Sequence, residues 1–240
     1  DATVHAGIHL VGLAHVIERV RVAYIFGDGV WIGDRTITPP PHYWIFWLQS
    51  SQISNCGEFG IRIESTDGFV LGNYSSGHAK GNVSYGAGNL WSNNHFDRVD
   101  DSQYAGLTVR KQRDQPTGNV AETIIGNYFD VNAGGLSFEG NTETQVPFRA
   151  TVTGNYFRDN DELDIRVIGC KNPILDHFTS CKGGQTHYSL RFESCSGTNV
   201  VRNATWDSSW AATPEVIDTT NGQNLDECIG CFWNGEPFLP

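Results

Sequence analysis

The chain contains no methionine and few basic residues, 16 Lys and Arg against 27 Asp and Glu in 240 positions. The resulting charge of −11 leaves no surface for gripping nucleic acid or an anionic membrane, because either partner needs clustered Lys and Arg. No apolar run approaches the roughly 18 residues that cross a bilayer, so no membrane insertion is expected. Six cysteines are too few for a disulfide scaffold at this length, where a hydrophobic core stands without staples. The eight histidines show no metal-ligand spacing. No Pro/Ser-rich tract or charge block divides the chain. The densest breaker cluster, Thr38-Pro39-Pro40-Pro41, reads as an inserted loop, which predicts one domain over residues 1–240. The chain opens at Asp1 on the strand-like Ala2-Thr3-Val4-His5, and is expected to be a processed mature protein or a fragment of a longer one.

Helical periodicity is missing too, and short alternating runs stand in its place. Ile8-His9-Leu10-Val11, Val16 to Val22 and Gly29-Val30-Trp31-Ile32-Gly33 are bounded by Gly and Asp, as half-buried strands are. Further on, an apolar residue, a small residue, an Asn and usually an aromatic recur around Asn55, Asn73, Asn94, Asn127, Asn155 and Asn203, with Asp176 standing in once. Ile125-Gly126-Asn127-Tyr128-Phe129 and Thr153-Gly154-Asn155-Tyr156-Phe157 show the pattern best. The mean spacing is about 25 residues, within the range of solenoid repeats. A second strand follows most of these turns: Gly60 to Glu64, Asn82 to Gly86, Gly106 to Arg110, Gly135 to Glu139, Asp164 to Ile168 and Ser189 to Glu193. Such strands bury an apolar face only by stacking on one another.

The period of two sets directions. Ile61, Ile63, Leu107, Val109, Leu136, Phe138, Ile165, Val167, Leu190 and Phe192 point inward. The outward positions fall into two columns, one of Glu64, Gly86, Arg110, Glu139, Ile168 and Glu193, the other of Arg62, Ser84, Thr108, Ser137, Arg166 and Arg191.

The Gly-Asn-Tyr-Phe turns, the rungs of about 25 residues and the alternating strand after each turn resemble the right-handed parallel β-helix of the pectate-lyase-like superfamily, which includes bacteriophage tailspikes and polysaccharide-degrading enzymes. The resemblance covers nearly the whole chain. It implies an all-β right-handed parallel β-helix of about eight or nine rungs with inserted loops. It also implies a virion or extracellular setting and a tailspike-like depolymerase, homotrimeric, that hydrolyses a host surface glycan. Two alternatives stay open: a secreted lyase or hydrolase acting on an acidic plant or algal polysaccharide, and a non-catalytic structural or adhesive β-helix.

The outward columns allow two readings, a solvated face of paired charges or a carbohydrate groove. In the groove reading Glu139 and Glu193, with Glu64, are catalytic candidates. Glu139 and Glu193 stand two rungs apart, roughly 9.5 Å between backbones, at the wide end of the carboxylate separation of inverting glycosidases. Arg62, Arg110, Lys111, Arg166 and Arg191 are the substrate-binding candidates, and Trp91 a stacking platform. Asp101, in Asp97-Arg98-Val99-Asp100-Asp101, is a further catalytic candidate, because paired aspartates resemble part of the polygalacturonase site. The Asn-Thr-Asp, Gly-His-Gly and Arg-Ile-Lys elements of that site are not matched, so its mechanism is not carried over, and the loop-turn reading of the pair is the favoured one. A lyase would take its base from Arg110-Lys111-Gln112-Arg113. No metal or other cofactor is expected; calcium, used by some relatives, would have the acidic loop Asp159, Asp161, Glu162 and Asp164 as its place. Cys170 and Cys195 fall at matching points of adjacent rungs as stacked core thiols, and Cys228-Ile229-Gly230-Cys231 is a lone C-x-x-C.

Overall fold

A computed structural model describes residues 5–12, 14–33, 45–85, 88–99, 101, 103–111, 119–181, 188–207, 216–218, 227–233 and 235–237. The Thr38–Pro41 loop, Trp44, Gly86, Asp100 and the Gln112-Arg113 part of the basic knot lie outside them. Among the described residues there is no helix, and the strands stack into three long sheets. Sheet 1 runs from Ala6–Leu10 through Asp28–Ile32, Ile61–Ile63, Asn82–Ser84, Ala105–Arg110, Gly134–Glu139, Leu163–Ile168 and Tyr188–Glu193 to Val216–Asp218. Sheet 3 likewise runs from Arg21–Ile25 to Phe232–Trp233, and there a short strand, Glu236–Pro237, turns back antiparallel. Sheet 2, between them in chain order, is hydrogen-bonded in runs of six and three strands. Every other pairing in these sheets is parallel, each strand pairing with its equivalent one turn later. Among the described residues the result is a parallel β-helix of nine three-sided rungs.

The interior follows from the alternation. The ten apolar residues expected to point inward from sheet 1 are all buried to 1% exposure or less. Sheet 3 contributes an aromatic stack, Phe96 on Phe129 on Phe157, with ring centroids 5.1 and 4.9 Å apart, continued edge-on by Phe178 and Trp206. Burying one such ring is worth about 2–3 kcal/mol, so the stack supplies a large share of what holds consecutive rungs together.

At the corner between sheets 2 and 3, each rung must turn without leaving backbone groups unpaired. Asn73, Asn94, Asn127 and Asn155 do this in series. The backbone N–H and side-chain amide of Asn73 both donate to Asn94 Oδ1 at 3.0 Å, Asn94 does the same to Asn127, and Asn127 to Asn155. Each amide also reaches a carbonyl of the preceding rung, as Asn127 does to Trp91 O at 2.9 Å. The residue just before each ladder position is left-handed, at Gly72, Asn93, Gly126 and Gly154, which explains the recurrent Gly-Asn.

The ladder is shorter than the sequence pattern suggests. Asn55 is a left-handed residue at another corner, and Asn203 is the exposed left-handed residue of its turn, with Ala204 in the buried ladder position. Asp176 lies on the sheet 2 strand Ile174–Asp176, and its inner equivalent is Phe178.

One rung of sheet 1 is also slipped by a residue relative to the expected columns. Val83 pairs with Arg62 and Ser84 with Ile63, so Val83 and Tyr85, instead of Ser84 and Gly86, fall in the outward columns. Asn82 and Ser84 point inward because polar partners await them there. Ser75 donates to Asn82 Oδ1 at 2.7 Å and lies 2.9 Å from His78 Nε2, while Ser84 donates to the fully buried Glu122 at 2.8 Å.

Candidate functional site

The outward face of sheet 1 carries the charged residues of the two columns, and the register holds over its last rungs. Arg110 pairs with Glu139, Glu139 with Ile168 and Ile168 with Glu193, while Ser137, Arg166 and Arg191 align beside them. Each strand starts at a corner where the chain turns in from sheet 3 and alternates from there, so long polar side chains project outward between buried Leu, Ile and Phe. Glu139 and Glu193 therefore stand two rungs, about 9.5 Å, apart along the backbone stack.

Their carboxylates are not free. Glu139 accepts from Arg110 Nε at 2.6 Å, and Arg110 also donates to the Tyr85 hydroxyl at 2.9 Å. Glu193 is held in a fork by Arg166, at 2.6 and 3.1 Å, and Arg191 Nε lies 3.0 Å away. Burial works to lower the pKa of Arg110, but Glu139 and Tyr85 outweigh it and hold the guanidinium above its ordinary range. Arg166 is raised chiefly by its hydrogen bonds to Glu193, and it also feels the fields of Glu139 and Glu162. One carboxylate is bonded to this guanidinium and two more act on it through their fields.

Beside this network opens a cleft of about 570 Å³, lined by Tyr104, Ser137, Glu162, Arg166, Tyr188 and Arg191 over a floor that includes Gly134 and Gly135. The Ser137 hydroxyl is buried in its wall and has no hydrogen-bond partner. Glu162 is exposed at the rim, and among the described residues its carboxylate makes no ion pair or hydrogen bond. A more open hollow of about 490 Å³, lined by Glu139, Gly140, Asn141, Thr142, Glu143 and Ile168, lies on the other side. The two hollows flank the arginine–glutamate network.

The remaining candidates lie elsewhere. Glu64 is on the same face three rungs earlier but is buried, its carboxylate clamped by Arg62 at 2.9 and 2.5 Å, while Arg62 also reaches Asp28 and covers the Trp31 ring at 4.2 Å. Lys111 follows the strand Ala105–Arg110, with its backbone N–H donating to Glu139 O. Asp101 makes a tight loop turn, accepting from the Gln103 N–H at 3.0 Å just before Tyr104 enters the cleft. Trp91 is a correction: it points inward from sheet 2 and is wholly buried, its ring tilted at 53° to Phe96 with centroids 6.0 Å apart, so no ligand reaches it. Asp164, from the acidic loop, is buried and bonded to Asn160 and Ser180, and no group of three or more His, Cys, Asp or Glu among the described residues is placed to hold a metal. The six cysteines are free; burial pushes the Cys170 thiol up, with Cys195 adding to it.

Sequence reasoning placed Glu162 only in the acidic loop weighed for calcium, and it missed the two tyrosines. Tyr104 and Tyr188 border the same cleft although 84 positions separate them in the sequence, because the solenoid brings every third corner together. Their one visible signal is an aromatic just before the sheet 1 strand in several rungs.

Residues 6–160, more than half of the chain, match the family described as the right-handed beta helix region. The chain belongs to that family. No curated protein and no solved structure matches this right-handed β-helix.

Proposed function

We propose that this β-helix binds a polysaccharide along the outer face of sheet 1 and cleaves it by hydrolysis, as a tailspike-like depolymerase. The right-handed β-helix is common in polysaccharide-degrading enzymes and tailspikes. The observation that carries the reading is the cleft itself: two tyrosines, two arginines, a free carboxylate and an unpartnered buried serine hydroxyl converge on one hollow. Sugars need this mixture, because they offer C–H faces to aromatics and hydroxyl pairs to charged groups. Glycoside hydrolysis needs one carboxyl to protonate the leaving oxygen and a second to act as base or nucleophile. Glu139 and Glu193, clamped by guanidinium groups, suit the second role and not the first. Glu162, unpaired at the rim, takes the acid role, with Glu193 across Arg166 as its partner.

A non-catalytic adhesin is the second reading, favoured by one observation: the arginines already neutralise Glu139 and Glu193, as they would on a purely binding surface. A glycan-array screen followed by product analysis of the best ligand separates the two. Glu162→Gln and Glu193→Gln should each lower cleavage by about 10²- to 10⁴-fold while binding persists. Full cleavage in both variants would refute the assignment of roles, and binding of glycan with no product from the parent chain would establish the adhesin.

A further inference from the structure

Several rungs repeat a pair of inward positions three residues apart, one in the middle of the sheet 2 strand and one just past the left-handed corner residue. Trp91 and Asn94, Ile124 and Asn127, Val152 and Asn155, and Val201 and Ala204 fill them, and all are buried. In the ninth rung the pair is Cys228 and Cys231. Cys228 is the middle residue of the strand Glu227–Ile229 and stands in register with Val201, Gly230 takes the corner at φ 64°, and Cys231 follows. The fold therefore turns both thiols toward one interior, where Cys231 joins the core and Cys228 packs against it. Cys231 Sγ lies 3.8 Å from Val201 O and from Ile229 O, and the Cys228 thiol donates a hydrogen bond to it.

The same positions separate the roles of the two sulfurs. In the asparagine rungs the backbone N–H at the ladder position donates to the side chain one rung on, as that of Asn94 does to Asn127 Oδ1. The backbone of Ala204 meets the Cys231 sulfur in that place. A neutral thiol accepts weakly, whereas a thiolate accepts well. With the hydrogen bond from Cys228, this holds Cys231 down from 9.0 to about 7, against burial and the charge of Asp176. Cys228 keeps its proton and is the less buried of the two.

We infer that Cys228 and Cys231 are a site of reversible oxidation, at which a small peroxide converts the two thiols into a disulfide across the ninth-rung corner. The Cys231 thiolate attacks one oxygen of hydrogen peroxide and the O–O bond breaks, leaving a sulfenic acid and a hydroxide that takes up the proton Cys231 had shed. The Cys228 sulfur then attacks Cys231 Sγ, and the second hydroxide leaves with the Cys228 proton as water. Two thiols lose two electrons and one peroxide becomes two waters. The ring spans only the four residues from Cys228 to Cys231, so it restrains the unfolded chain little, and a dithiol reopens it.

Peptide mapping tests this. No Lys or Arg follows Arg202, so trypsin leaves Cys228 and Cys231 together in Asn203–Pro240 and the other cysteines elsewhere. The reduced, folded 240-residue chain is exposed to dilute hydrogen peroxide at pH 7, then denatured, alkylated with iodoacetamide and digested. Mass spectrometry should find Asn203–Pro240 lighter by two hydrogens and unalkylated, while the peptides bearing Cys170, Cys181 and Cys195 are alkylated; dithiothreitol before alkylation should restore both groups. The bond should form about five times faster than in urea, because the larger thiolate fraction outweighs its lower nucleophilicity. In Cys228→Ser, dimedone should trap the sulfenic acid on Cys231. A parent peptide that keeps both alkyl groups, or loses them no faster than the Cys170 peptide, overturns the inference. So does a disulfide that forms equally fast in urea, since the folded corner would then contribute nothing.

Discussion

Glu122 offers a sharp test of the interior. It occupies a corner position between sheets 1 and 2, where its Oε1 accepts from Ser84 Oγ at 2.8 Å and from the Asn89 amide at 3.1 Å. Asn89 in turn satisfies Gly68 N–H and Ser65 O one rung earlier, so Glu122 stands where a further asparagine of the ladder type would stand. Its second oxygen is buried without a partner. Burial therefore dominates and pushes the carboxyl up from 4.5 to about 8, against the hydrogen bonds from Ser84 and Asn89. Below pH 4.5 the group is protonated in both the folded and the unfolded chain. Between 4.5 and 8 the folded chain keeps a proton that the unfolded chain releases, so stability falls with rising pH, by about 1.4 kcal/mol per unit. At pH 7 the loss is about 3 kcal/mol.

Glu122→Gln keeps the accepting oxygen and removes the titration. It should leave stability nearly unchanged at pH 4.5 and raise it by about 3 kcal/mol at pH 7, more at pH 8. Urea unfolding of parent and variant at these three values is the assay, read as the difference between them so that other groups cancel. A difference that stays flat with pH, or a variant less stable than the parent at pH 8, would falsify the account of a protonated carboxyl in the ladder.

The other predictions concern the same interior and the cleft. His78, buried beside Ser75, is pushed down from 6.5 to about 4 by burial, so its contribution is full above pH 6.5 and is lost as pH falls toward 4; His78→Gln should flatten that acid limb in the same urea series. Asn127→Ala strips the acceptor from both donors of Asn94 and the donor from Trp91 O, and should cost about 2–5 kcal/mol, with Asn127→Asp also destabilising because the amide donors are lost. Phe157→Ala opens a hole in the aromatic stack and should cost about 3–5 kcal/mol by the same measurement. Gly134→Tyr fills the cleft from its floor, where an added Cβ meets nothing closer than 3.7 Å; it should abolish glycan binding while the circular dichroism spectrum stays that of the parent, and retained binding would move the site off this cleft.

The fold was legible because its signal is repeated. Ile61, Leu107, Leu136, Ile165 and Leu190 obey one alternation in five rungs, and an error in one rung does not disturb the others. That is also why the slip at Asn82–Ser84 went unseen: a rung whose inward residues are polar inverts the pattern, and its partners Ser75, His78 and Glu122 are neighbours only after folding. The column containing Arg110, Glu139 and Glu193 was readable, since register follows from the hydrophobic face. Their mutual clamping was not, because it depends on rotamers reaching across rungs. Trp91 misled for a simpler reason. An aromatic beside a loop reads as a platform, but the strand Leu90–Ser92 turns its middle residue inward.

Apart from the Asn82–Ser84 rung, the sheet 1 strands from Ile61 to Glu193 bury the same kind of apolar set, so stability places little constraint on what projects outward there. Sheet 1 gathers the arginines and carboxylates because its longest strands, of six residues, offer two outward columns side by side. With Glu139 and Glu193 two rungs apart, Arg166 stands on the intervening rung between them, and it lines the cleft together with Glu162, whose field it also feels. Removing that guanidinium would strip Glu193 of its fork, leaving it Arg191, and would take a positive field from Glu139 and Glu162. Arg166→Gln should therefore do more than weaken binding: with that positive field lost, the carboxylates it acts on would hold protons more tightly and any pH profile of cleavage would shift upward, which loss of a simple binding contact would not do.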